Sequence, residues 1–128
     1  MIDAERHAAH WREGAVEDWE VARDLIERGR IRHGLFFAHL ALEKALKARV
    51  CARSRDLAPR LHNLVRLAEL VELAGVDLTP EQRDTLADMN AFALEGRYPE
   101  SLAPPPSQDE GARYLARASE VFACLTKP

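Results

Sequence analysis

Residues Phe36 to Ala48, FFAHLALEKALKA, read as a helix that must be buried on most of its sides. Leu35, Ala38, Leu42, Ala45 and Leu46 form one stripe at helical spacing, and Phe36, Phe37, Leu40 and Ala41 widen it nearly all round over its first half. No proline interrupts the run from Ile31 to Arg53, and no glycine after Gly34. A helix of this kind occupies the centre of a small bundle or also packs on a second subunit. The segment therefore predicts a central second helix and self-association.

Working outward, Trp11, Ala15, Trp19, Ala22 and Ile26 step along one face of a first helix over about 3–28. Asp3 is its expected N-cap and Gly29 its stop. After the break at Pro59, Leu61, Leu64, Val65, Ala68 and Val71 mark a third helix ending near Gly75. Thr79-Pro80-Glu81-Gln82 is a capping box with proline at the first helical position, opening a fourth helix that Gly96 and Pro99 should end. Residues 96–106 form a proline-rich connector, with Pro104-Pro105-Pro106 expected to be extended. Ser107 and Glu110 make a second capping box before Tyr114, Ala118, Val121 and Leu125. Period-two alternation is absent, so no strand is predicted. The expected fold is all-α, an antiparallel up-and-down bundle of four to five helices forming one domain over 1–128.

Composition narrows the function classes. The chain is 47% hydrophobic and 30% charged over 128 residues, which fits a globular domain and not a disordered one. Cys51 and Cys124 form no CxxC and read as reduced thiols. The charged start MIDAERHAAHW does not read as a secretory leader, and no apolar run reaches membrane-spanning length, so the expected location is the cytoplasm. The net charge of -3 is unevenly spread. Lys44 to Arg66 holds seven Lys/Arg and the single acid Asp56, whereas Leu67 to Glu110 holds ten acids and only Arg83 and Arg97. The basic segment suits an anionic ligand; it equally suits a solvated helix end.

Few residues suggest chemistry. His7 and His10 share a face without further ligands at metal-binding spacing, so no metal is expected. A nucleophile elbow and a glycine-rich phosphate loop are both missing, and no cofactor is expected. Lys44 and Lys47 are two of only three lysines, and both fall in one turn; they face an anion, or Lys47 merely pairs with Glu43 four residues earlier. His62 stands where the third helix should begin. There the helix dipole disfavours its charged form, so it serves as a proton acceptor or as a half-buried capping residue. Arg97 either complements a helix C-terminus or reaches a ligand beside the stacking platform of Tyr98.

Four segments occurring in order resemble the HEPN domain family: Asp18-Trp19-Glu20-Val21-Ala22 with Leu25-Ile26, the run AHLALEKALKA from Ala38 to Ala48, Pro59-Arg60-Leu61-His62-Asn63-Leu64, and Arg97-Tyr98-Pro99. The resemblance implies a dimerising helical bundle linked to nucleotides or RNA. It also implies a minimal nucleotidyltransferase partner, frequently in a toxin–antitoxin pair. The leading expectation is a non-enzymatic module with nucleotide contacts at Lys44, Lys47, His62, Arg97 and Tyr98. Many members are metal-independent ribonucleases carrying Arg-x(4–6)-His. Here Arg28 to His33, Arg32 to His39 and Arg55 to His62 have that spacing, where fifteen arginines and five histidines give roughly two matches by chance. Arg55 with His62, in the basic segment, is the candidate catalytic pair. A purely structural dimeric scaffold is the remaining alternative.

Overall fold

The computed structural model describes residues 3–93, 104 and 106–127. Five helices are present among them: α1 (Ala4–Glu27), α2 (Ile31–Ser54), α3 (Leu64–Leu73), α4 (Pro80–Met89) and α5 (Gln108–Thr126). No described residue is in a strand. The architecture is the expected all-α antiparallel up-and-down bundle. No described helix is long and apolar enough to cross a membrane.

The caps explain where the helices begin. Asp3 Oδ1 accepts from the Arg6 backbone N–H at 3.1 Å. Both expected capping boxes are complete: Thr79 with Gln82, and Ser107 with Glu110. Gly29, at φ +82°, supplies the left-handed turn that ends α1 and sends the chain into α2.

Two boundaries differ from the sequence reading. Apolar spacing predicts the third helix from Leu61, but it starts at Leu64. Asn63 stays extended (φ -76°, ψ 115°) and its side chain accepts from the Val65 and Arg66 backbone amides. An asparagine free to cap wins over continued helix there. His62 therefore precedes the cap instead of opening the helix, and the dipole argument loses its geometric basis. The fourth helix is expected to run to Gly96, but its regular part ends at Met89. The Asn90 N–H is shared between the Leu86 and Ala87 carbonyls at 3.3 Å each. The Asn90 side chain turns to α3 instead, accepting from Leu64 N–H at 2.8 Å and donating to Asn63 Oδ1 at 3.0 Å. Residues 91–93 are helical again; Gly96, Pro99 and the extended reading of the triple proline lie outside the described residues.

One apolar cluster draws on all five helices, with α2 touching each of the other four. Leu35, Leu42 and Leu46 are fully buried, and so are Leu64, Leu67, Leu86 and Met89. Each such side chain contributes on the order of 1.5–3 kcal/mol relative to an exposed one. The expected first-helix stripe is buried at Ala15, Trp19, Ala22 and Ile26; Trp11, one turn earlier, stays half-buried. Trp19 stacks on Phe122 of α5, centroids 4.8 Å apart and planes 10° from parallel.

Candidate functional site

His39, Glu43 and Lys47 follow one another at four-residue intervals along α2. They form a polar row inside the central helix of the bundle, and all three are buried. Buried charges require partners. Glu43 Oε2 accepts from Lys47 Nζ at 3.1 Å, and the same oxygen lies 3.1 Å from His62 Nδ1. Its other oxygen faces His39 Nδ1 at 4.0 Å. The Lys47 ammonium also stands 5.1 Å from the centroid of the Trp11 ring on α1, a cation–π contact. The cluster thus runs from Trp11 through Lys47 and Glu43 to His62, whose side chain is 60% exposed.

Lys44 also meets α1. Its Nζ lies 2.8 Å from Asp18 Oδ2 of α1, an ion pair without hydrogen-bond alignment. Its stem passes over Gly14, where a Cβ would stand 3.3 Å from Lys44 Cδ. Both lysines of the expected anion site are therefore paired with carboxylates inside the fold. The Glu43–Lys47 helix pair forms as its spacing allows.

Of the remaining cations in the basic segment, Arg49 is committed to the chain's last described turn. Its Nε donates to the Leu125 carbonyl at 2.6 Å and its Nη2 to the Lys127 carbonyl. Arg53, Arg55, Arg60 and Arg66 are exposed and make no ion pair among the described residues. They cluster in sequence around the α2–α3 junction. Arg55 is the C-cap of α2 in the left-handed region (φ 57°), Arg60 precedes His62 by two residues, and Arg66 lies in the first turn of α3.

Arg55 and His62 flank the same junction, but no hydrogen bond joins them; the ring of His62 is engaged by Glu43. Arg97 and Tyr98 lie outside the described residues. Sequence reasoning missed the link from Glu43 to His62, which are nineteen residues apart. The available signal was the His39-Glu43-Lys47 spacing within the helix expected to be buried on most sides, because a polar row on a buried face has to be satisfied internally. Among the described residues, no three His, Cys, Asp or Glu side chains gather as metal ligands do.

The fold resembles the crystal structure of TT1696 from Thermus thermophilus, with a TM-score of 0.77 at 24% identity, covering 92% of this chain and 94% of that one. No curated protein matches the chain. The sequence profile of the HEPN domain matches residues 8–127, nearly the whole length. The chain belongs to the HEPN domain family.

Proposed function

We propose that this protein is a helical module that binds the phosphate of a nucleotide or RNA at the α2–α3 junction. It acts with a minimal nucleotidyltransferase partner, in a toxin–antitoxin pair. One observation carries the binding reading: Arg53, Arg55, Arg60 and Arg66 are exposed without ion-pair partners among the described residues, while Lys44 and Lys47 are each paired with a carboxylate. Guanidinium groups suit phosphate oxygens through paired N–H donors. His62 adds a fixed polar ring beside them. Lys44 and Lys47 then hold the α1–α2 frame under the site, and Arg97 with Tyr98 join it on the family pattern alone. Members of this family are often dimeric, and the partly exposed Phe36 and Leu40 of α2 suit such an interface.

Binding of a nucleotide and of a short RNA at low salt tests the reading. Replacing Arg55, Arg60 and Arg66 together by Gln should weaken binding at least about ten-fold and flatten its salt dependence. Unchanged affinity in that variant rejects the site. Co-purification with a nucleotidyltransferase encoded nearby tests the partner.

The Glu43–His62 contact favours a second reading, a metal-independent ribonuclease in which His62 is the base and Arg55 stabilises the developing charge. An RNA cleavage assay on the free protein decides this, and cleavage that persists in His62→Ala removes His62 from the mechanism.

A further inference from the structure

Stability alone does not explain Glu43. A Glu–Lys pair on an open helix contributes little, and withdrawing it from water costs more than the attraction returns unless further hydrogen bonds offset the loss. Glu43 and Lys47 are only 5% and 4% exposed. What the burial achieves is a fixed carboxylate oxygen behind an exposed imidazole.

The chemistry of that oxygen determines the ring. Glu43 Oε2 accepts from the Lys47 ammonium, so it is an acceptor toward its other neighbour as well. His62 must present Nδ1–H to it. A neutral imidazole has a single N–H, which leaves Nε2 a bare acceptor on the side of the ring away from the buried carboxylate. Every nearby unpaired cation is an arginine, which only donates. The junction therefore sets a neutral imidazole acceptor among phosphate-seeking donors; its carboxylate, Asp56, accepts from the Leu57 backbone N–H at 2.7 Å. Phosphate oxygens make no use of that acceptor; a hydroxyl beside a phosphate does. In nucleic acids that hydroxyl is the ribose 2′-OH, next to its own phosphodiester.

We propose that Glu43 is a positioning residue that fixes the Nδ1–H tautomer of His62, and that His62 Nε2 thereby selects ligands bearing a ribose 2′-hydroxyl over their deoxy counterparts. This inference rests on the phosphate-binding reading of the same junction. It names the ligand class as RNA or a ribonucleotide.

The test is a titration at pH 8 with three single-stranded oligoadenylates of equal length: RNA, DNA and 2′-O-methyl RNA, whose sugar oxygen accepts but cannot donate. The RNA should bind roughly ten-fold more tightly than the other two. In His62→Ala the three should agree within about two-fold. Glu43→Leu should do the same, and Glu43→Gln, whose amide oxygen still accepts, should retain the preference. Long-range ¹⁵N–¹H spectra of the imidazoles should show His62 protonated at Nδ1 in the natural protein and lose that signature in Glu43→Leu. Equal binding of all three oligomers, still dependent on the arginines, overturns the selectivity and leaves the phosphate site standing. No binding of any oligomer overturns both. An Nε2–H ring in the natural protein overturns the inference whatever binds.

Discussion

Lys44 of α2 and Asp18 of α1 form an ion pair across the first helix hairpin, Nζ to Oδ2 at 2.8 Å. The pair is partly shielded, with Asp18 15% and Lys44 31% exposed at the side chain. Solvent still screens it, so its net worth is about 1 kcal/mol or less. Lys44→Met should lower the melting temperature by a few degrees, and Asp18→Asn should cost little more once Lys44 is gone, as read in a double-mutant cycle. Phosphate affinity should stay within about two-fold of the natural protein. A large loss of binding at unchanged stability would return Lys44 to the ligand.

Gly34 of α2 packs tightly against the end of α1. A Cβ there would stand 2.6 Å from Ile26 Cδ1 and 3.1 Å from the Ile26 backbone nitrogen. The side chain could move, but the backbone could not without shifting α1. Gly34→Ala should therefore destabilise by about 1–3 kcal/mol despite alanine's better helix propensity. Gly14→Ala, which meets only the flexible stem of Lys44, should be neutral or stabilise by up to about 1 kcal/mol. Parallel denaturant titrations compare the two.

Asn90 and Asn63 together satisfy the first turn of α3. Asn90→Ala leaves the Leu64 N–H without its partner and removes the brace on Asn63. Either alanine variant should cost about 1 kcal/mol, measured as a lower denaturant midpoint with an unchanged slope.

The Ser107 backbone amide, followed by its hydroxyl, holds the Glu110 carboxyl below its ordinary value of 4.5. A depressed carboxyl stabilises the fold above its unfolded pKa and loses that contribution as pH falls through the folded value. The natural protein should therefore exceed Glu110→Gln in melting temperature at neutral pH. The gap should narrow as pH drops below 4.5.

Burial, followed by the Asp56 carboxylate, pushes the Cys51 thiol up. Its Sγ also donates to the Ala4 carbonyl at 3.5 Å, whereas Cys124 is only partly covered. Native protein treated with a thiol-alkylating reagent should label at Cys124 first, with Cys51 roughly ten-fold slower or more and accelerated by mild denaturant. Mass spectrometry of the labelled peptides reads the order.

The helices are legible because each announces itself locally. Both capping boxes, the Asp3 cap and the Gly29 stop need only residues within one turn, and the near-encircling apolar run from Leu35 to Leu46 identifies the central helix. The start of α3 is misleading because Leu61 continues the apolar spacing, while Asn63 prefers to cap and is held there by Asn90, twenty-seven residues away. The site is legible only in pieces. Lys47 and Glu43 are visible as a helix pair, and His62 as a polar residue after a proline break. Their union through one carboxylate oxygen depends on the fold returning α3's entry to the flank of α2, and no local spacing encodes that. The charge asymmetry, likewise, marks the basic segment without revealing which of its cations the fold consumes.

The stacking of Trp19 on Phe122 ties the first helix to the last. A ribosome delivers α1 and α2 early, and their hairpin closes over a three-residue turn. The apolar seam along Trp19 then stays open until α5 has emerged. During that interval the nascent protein carries an aromatic face that Phe122 of α5 covers in the finished fold. Removing α5 would leave that face uncovered, so the solubility of the α1–α4 portion depends on α5.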